Sequence, residues 1–304
     1  MNNKKYGIVI LNWNNYIETK KCIKSILSSN TELYDVKIYL IDNDSKDGSG
    51  DKLKDEFSNL VCYYNTGENK GYTGGNNFGI KKALQDSCDY ILILNNDLEI
   101  ENFSSLLQSL DDVFKYNPKI GITGFDIYNK STKQLLKSAG KINEYLTKLL
   151  NIRTDYSDIN KYISLSYQKA VCGCAICFKS DCINEIGLFD ESFFMYAEEQ
   201  DICLRAIKYD WKVGKIRNQK SKIYRQVDEI SENQLIWYYG TRNIFCAYKK
   251  NIIGYKKYIF ISLQFLIYLK QIIYFFIKSN SKISYKIIIG LKDAFIGNNY
   301  KGKS

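Results

Sequence analysis

Two short clusters of oxygen-bearing side chains could carry chemistry in this 304-residue chain. The first is Asn95-Asn96-Asp97, which ends the apolar run at residues 90–94. That run is too short for a helix and has no polar face, so it reads as a strand buried on both sides of an α/β sheet. Ligands of such sheets bind beyond the carboxyl ends of the strands. An acid placed there can coordinate a divalent ion, and that ion can neutralise a diphosphate. The second cluster is Glu198-Glu199-Gln200-Asp201, preceded by Phe193, Phe194 and Tyr196. Carboxylates this close repel, which raises the pKa of one of them and suits it to deprotonate a hydroxyl. Each cluster also has a plainer reading. The first is equally an Asn-Asp turn, and the second an acidic helix start favoured by the helix dipole.

The elements that must position these clusters follow from the pattern of apolar residues. Strands are predicted at 6–11, 36–41, 60–64, 90–94, 120–123 and 170–178. Helical faces recur between them: Ile17, Ile23, Ile26 and Leu27; a short helix from about Gly48; Leu106, Leu107 and Leu110; then 197–208 and 234–248. Alternating strands and helices imply parallel pairing with crossover helices. The loops after the first four strands then share one crevice. They carry Asn12, Asp42 with Asp44, Asn69 with Gly71, Gly75, Asn76 and Asn77, and finally Asn95 with Asp97. A carboxylate such as Asp42 can accept from a nucleobase imide. The stretch 71–79 reads as a glycine- and asparagine-rich loop opening a helix whose first N–H groups could meet an anion. Taken singly, each loop is also ordinary turn chemistry. Residues 128–169 show no clear period and read as a hairpin or variable loop.

Charge separates the last part of the chain from the rest. Residues 241–304 hold twelve Lys or Arg and one acid, within a net charge of +10 for the whole chain. Long apolar and aromatic residues interleave with these cations, which favours an anionic membrane surface over nucleic acid as partner. Residues 258–277 are mostly apolar but contain Gln264, Lys270 and Gln271, a pattern that suits a helix lying in the interface better than one spanning it. The first residues are polar and 7–11 is too short for a signal, so a cytoplasmic chain with reduced thiols is expected. Cys172, Cys174, Cys177 and Cys182 lack the spacing of a zinc site and the chain has no histidine; Cys172 and Cys174 alternate within a predicted strand and read as small buried hydrophobes. The missing histidine also excludes His-based triads.

In combination and in order, 8–14 (IVILNWN), 40–48 (LIDNDSKDG), 69–79 (NKGYTGGNNFG), 93–97 (ILNND), 187–205 and 238–243 (YYGTRN) resemble glycosyltransferase family 2, and within it the bacterial rhamnosyltransferase-like branch. The resemblance implies the GT-A fold, a Rossmann-like α/β mixed sheet flanked by helices, here with C-terminal amphipathic helices. It implies a transferase domain at 1–245, divided into a nucleotide-sugar half (1–125) and an acceptor half (126–245), with a membrane-association tail at 246–304. Asp97 with Asn95 would hold Mg²⁺ or Mn²⁺. Asn12, Asp42, Asp44, Asn69, Gly71, Gly75, Asn76, Asn77, Asn96, Arg225 and Arg242 would bind the nucleotide sugar. Glu199 would be the base, completed by Glu198 and Asp201. Two departures stand out. Arg225 occupies a place where the family often has histidine, and Glu199 one where it usually has aspartate.

The implied reaction is inverting transfer of a sugar, with rhamnose as one expectation, from a nucleotide donor to a lipid-linked saccharide in surface polysaccharide assembly. The partners are the donor, that acceptor and an anionic membrane, with no nucleic acid, for a protein held at the inner face of the cell membrane. A degenerate paralogue that binds donor or scaffolds, and a sugar nucleotidyltransferase, are the competing readings. Retained Asp97, Glu199 and Asp201 oppose the first. The second lacks its usual N-terminal, arginine-bearing phosphate loop.

Overall fold

The computed structural model describes residues 4–136, 156–226 and 234–297. The first part alternates as β1 (Lys5–Asn12), α1 (Tyr16–Leu27), β2 (Asp35–Asp42), α2 (Ser49–Phe57), β3 (Cys62–Asn65), α3 (Gly71–Gln85) and β4 (Tyr90–Asn95). It continues through β5 (Leu98–Ile100), α4 (Phe103–Tyr116), β6 (Ile120–Phe125), β7 (Ile127–Asn129), β8 (Ser157–Asp158), β9 (Ile163–Gln168) and β10 (Ala175–Lys179). Then come α5 (Ser180–Ile186), α6 (Glu198–Lys208), β11 (Lys212–Asn218), β12 (Ile223–Arg225), α7 (Gln234–Asn251), α8 (Tyr255–Ile277) and α9 (Ser281–Ile296).

Nine strands form one mixed sheet in the order β3-β2-β1-β4-β10-β6-β11-β9-β8. β3, β2, β1 and β4 run parallel, whereas β10 is antiparallel to both β4 and β6. The apolar run of β4 is explained by two cores. Leu92 and Leu94 face one layer with Ile23, Leu53 and Leu107, and Ile91 and Ile93 face the other with Ile80, Ile183 and Ile202. A strand covered on both faces has no polar side to alternate. A small sheet, β5-β12-β7, lies beyond the end of β4.

Two expectations need correction. The stretch 71–79 is the first half of α3, not a loop. Gly75 and Gly79, one turn apart, face β1: a Cβ would come within 2.5 Å of Leu11 Cδ1 at the first and 2.4 Å of Val9 Cγ1 at the second. These glycines weaken helix propensity by about 1 kcal/mol each, which the close helix–sheet packing offsets. The strand expected at 170–178 begins only at Ala175, so Cys172-Gly173-Cys174 crosses the end of β4 as irregular chain. Of the unpatterned stretch 128–169, residues 137–155 lie outside the described residues, and 157–168 supply the antiparallel pair β8–β9.

The basic tail packs onto the domain. Phe245 of α7 is buried with Tyr268 of α8 and Ile283, Ile287 and Leu291 of α9. The expected division at 245/246 therefore falls inside α7. One face of α8 (Phe260, Gln264, Tyr268) is buried, while Tyr258, Leu266, Ile273 and Phe276 are exposed. By length and composition α8 is apolar enough to cross a membrane.

Candidate active site

The end of β4 and the small sheet bring the first cluster together. β5 pairs antiparallel with β12, setting Leu98 opposite Arg225. Arg225 Nε then donates to Asp97 Oδ2 at 2.7 Å. On the other side β10 pairs with β4, and the Asn95 N–H donates to the Cys174 carbonyl at 2.8 Å. Asn95 Oδ1 and Asp97 Oδ1 are buried without a hydrogen-bond partner among the described residues. Buried acceptors in native proteins are rarely left so. Two unpaired hard oxygens suit a divalent ion of the Mg²⁺ or Mn²⁺ kind, which takes one or two protein oxygens and completes its shell with substrate phosphates and water. No group of three Asp, Glu or Cys capable of holding a metal converges among the described residues. Such a cation would therefore depend on a diphosphate for its remaining ligands.

The second cluster flanks the same segment. A Cβ on Gly173 would lie 3.5 Å from Glu199 Cβ and 3.6 Å from Glu198 Oε1. The Gly173 carbonyl accepts from the Tyr72 hydroxyl at 2.7 Å. Burial, and then the neighbouring Cys172, push the Glu199 carboxyl up to about 7. Burial, and then the Glu199 charge, hold Glu198 well above the carboxylate range. Two acids with separated affinities differ in what they can do: Glu198 keeps its proton, and Glu199 can take one near neutral pH. Asp201 does not join them. Its carboxylate accepts from Arg205 Nε at 2.9 Å and Asn251 Nδ2 at 2.7 Å, tying α6 to α7.

The end of β2 is built differently. Asp42 is 1% exposed. It accepts from Asn12 Nδ2 (2.8 Å), the Ser45 hydroxyl (2.6 Å) and backbone N–H (3.0 Å), and Asn65 Nδ2 (2.8 Å). Four bonds fill a carboxylate's acceptor sites, so Asp42 has none left for a nucleobase. Asn12 is equally committed, accepting from Thr19 at 2.7 Å. Thr19 in turn accepts from Asn96 at 2.8 Å, joining the ends of β1, β2 and β4. Asp44 is a partly exposed acid here, in the left-handed region (φ 61°) and 2.7 Å from Lys46.

Two predicted asparagines serve the fold. Asn77 Nδ2 donates to the Phe189 carbonyl at 2.9 Å and to Glu191 at 3.0 Å, and its oxygen accepts the Phe189 N–H. Asn76 Nδ2 donates to the Tyr72 carbonyl at 2.9 Å within α3, but its Oδ1 is buried without a partner among the described residues, like that of Asn95. Buried Arg242 donates to Asn243 (2.7 Å) and the Ser192 carbonyl (3.1 Å), so it supports the loop beneath the site. Asn69 and Gly71 remain at the crevice. Gly71 has φ 68°, and a Cβ there would strike Phe194 at 2.5 Å.

Sequence reasoning missed the loop that closes the crevice. Phe194, Tyr196 and Ala197 all have positive φ, a strained run for residues with side chains. Asn243 Nδ2 holds it by donating to the carbonyls of Phe193, Met195 and Tyr196 at 2.8–2.9 Å. The only signal was Asn243 in the 238–243 motif. A cavity of about 250 Å³ lies here, lined by Trp13, Asn69, Tyr72, Asn96, Phe194 and Tyr239 among others. A larger groove of about 920 Å³, lined by Tyr34, Gln108, Tyr162 and Asn218, lacks the Asn95 and Asn96 that line the smaller cavity, and neither cavity is lined by Asp97, Glu198 or Glu199, so size alone does not locate the site.

Comparison with known proteins identifies the family and the fold. An uncharacterised protein of Haemophilus influenzae is 29% identical over 141 residues, covering 44% of this chain and 72% of that protein. The low-salt glycan biosynthesis hexosyltransferase Agl10 of Haloferax volcanii is 28% identical over 197 residues, covering 62% of this chain; the chain spans 60% of that enzyme's length. The mannosyltransferase PcManGT from Pyrobaculum calidifontis, solved with GDP-Man and Mn²⁺, superposes with a TM-score of 0.63 at 8% identity, over 97% of this chain and 88% of its own. That likeness establishes the fold, an α/β mixed sheet of the GT-A type. The family model described as Glycosyl transferase family 2 matches residues 7–182, more than half of the chain, which therefore belongs to glycosyl transferase family 2.

Proposed function

We propose that this transferase moves a sugar, with inversion, from a nucleotide-sugar donor to a saccharide acceptor carried on a lipid. The observation that carries the reading is the placement of Asn95 and Glu199 on either side of one short segment, Cys172–Cys174. An acceptor hydroxyl near Glu199 gives up its proton as its oxygen attacks the anomeric carbon. The nucleoside diphosphate leaves from the opposite face. Arg225, fixed through Nε to Asp97, has its two terminal nitrogens to offer the diphosphate oxygens. A divalent ion held by Asn95 and Asp97 would supply further positive charge to that leaving group. Asn69, Gly71, Asn96 and exposed Trp13 are the contacts we assign to the nucleotide.

The membrane-facing part of the reading rests on α8. Its exposed Tyr258, Leu266, Ile273 and Phe276, with Lys256, Lys257, Lys270 and Lys278 on the same helix or beside it, suit a helix lying in an anionic interface at the inner face of the membrane. An acceptor on a lipid pyrophosphate, as in surface polysaccharide assembly, would meet the site there. Co-sedimentation with vesicles tests this: wild type should bind anionic vesicles, and Leu266→Glu with Ile273→Glu should stay in the supernatant. Equal sedimentation of both would refute it.

The transfer reading is tested by a donor screen on purified protein. UDP-, GDP- and dTDP-sugars, dTDP-rhamnose included, are offered with Mn²⁺, Mg²⁺ or EDTA, with and without a lipid-pyrophosphate saccharide, and released nucleotide is measured. Release from one donor, increased by acceptor, is expected. No release from any donor in the presence of acceptor contradicts the reading.

A further inference from the structure

The segment between the two functional clusters carries chemistry that sugar transfer does not use. Cys172 Sγ and Cys174 Sγ lie 3.1 Å apart. Among the described residues, no other two cysteine thiols come within hydrogen-bonding distance, and all nine cysteines are free. Cys172 is half-buried and so open to a small reagent, while Cys174 is buried behind it.

We infer that Cys172 and Cys174 are a redox modification site that a low-molecular-weight disulfide converts into an intramolecular disulfide, switching the site off. The balance is simple. The Cys172 thiolate attacks the reagent disulfide, forming a mixed disulfide and releasing one thiol. The Cys174 thiolate then displaces the second thiol. Overall, two protein thiols and one disulfide give one protein disulfide and two small thiols. A sulfur–sulfur bond is about 2.05 Å long, so closure draws the pair together by roughly 1 Å.

That movement has nowhere neutral to go. The Cys174 carbonyl accepts from the Asn95 N–H, the Gly173 carbonyl from the Tyr72 hydroxyl, and a Cβ on Gly173 would already touch Glu199 Cβ at 3.5 Å. Displacement of about 1 Å at a catalytic constellation can cost on the order of a hundredfold in rate. The effect on turnover rests on the transferase reading above; the thiol chemistry does not.

The test uses the full chain, reduced, freed of reductant and exposed to glutathione disulfide over a range of ratios. Samples are acid-quenched, alkylated and mapped by mass spectrometry, with fragment ions separating Cys172 and Cys174 from Cys177 on the same tryptic segment. The expected result is a segment two hydrogens lighter, unalkylated at Cys172 and Cys174. Nucleotide release should fall at least about tenfold and return with dithiothreitol. Cys172→Ser should resist the oxidant. Oxidation reaching Cys62 or Cys246 first, with Cys172 and Cys174 still alkylated, overturns the proposal. So does a mapped disulfide with unchanged release, or a Cys172→Ser variant as sensitive as wild type. A protein inactive even when reduced would contradict the transferase reading while the mass shift still stood, so the two failures are told apart.

Discussion

Asp42 ends β2 and Asp97 lies just past the end of β4, parallel strands on either side of β1, and the fold treats them in opposite ways. Asp42 accepts four hydrogen bonds and is closed to any ligand. Asp97 has one oxygen on Arg225; the other is without a partner among the described residues, as are an Asn95 oxygen two residues earlier and an oxygen of Glu198. A satisfied polar network rigidifies, whereas an unsatisfied one is destabilising unless something completes it. The Asp42 network is satisfied framework, whereas the Asn95–Asp97 group keeps unpaired oxygens.

The largest expected effect separates these roles at the base. Glu199→Gln should lower nucleotide release about a thousandfold while leaving Tm within a degree or two in a thermal melt. A comparable drop in Tm would make Glu199 part of the framework instead. Asp42→Ala should do the reverse. It strands the donors of Asn12, Ser45 and Asn65, and should cost about 2–4 kcal/mol in urea unfolding, with the rate per folded molecule nearly kept. An inactive but fully stable Asp42→Ala protein would place Asp42 in the nucleotide site after all.

Smaller effects come from protons. Glu199 must be ionised to act, and its carboxyl sits near 7. Release should therefore rise with pH through neutrality, falling about tenfold per unit below it. A flat profile between pH 5.5 and 8 would exclude it as the base. The smallest effect concerns Glu198. Its folded pKa lies above the unfolded value, so ionisation opposes folding; the penalty is absent below about 4.3 and grows as pH rises above that. Glu198→Gln keeps a donor for Glu199 and removes the penalty. Its Tm should exceed wild type by a few degrees at pH 8 and match it at pH 4.

Much of this arrangement was legible in the sequence, for identifiable reasons. The β4 run and Asp97 stood out because a strand buried on both faces loses its polar alternation. Glu198 and Glu199 stood out because acids crowd there beside aromatics. What was hidden depends on pairing between distant segments. An apolar strand carries no mark of its direction, so β10 looked like any other strand. Gly75 and Gly79 imitate a loop because glycine usually marks one, and only the side chains of Val9 and Leu11 explain them inside a helix. The saturation of Asp42 needs Asn65, which belongs to the next strand, and the Asp97–Arg225 pair joins residues 128 positions apart. Asn243, which clamps the strained 194–197 loop, shows no chemistry of its own in the sequence.

The most direct test is calorimetric titration of the nucleoside diphosphate identified in the donor screen, with and without Mn²⁺, into wild type and Asp97→Asn. If the unpaired oxygens of Asn95 and Asp97 await a cation shared with the diphosphate, Mn²⁺ should tighten binding at least about tenfold in wild type. It should do little in the variant, whose Tm should be unchanged. Equal Mn²⁺ dependence in both proteins, or none in either, would contradict the account.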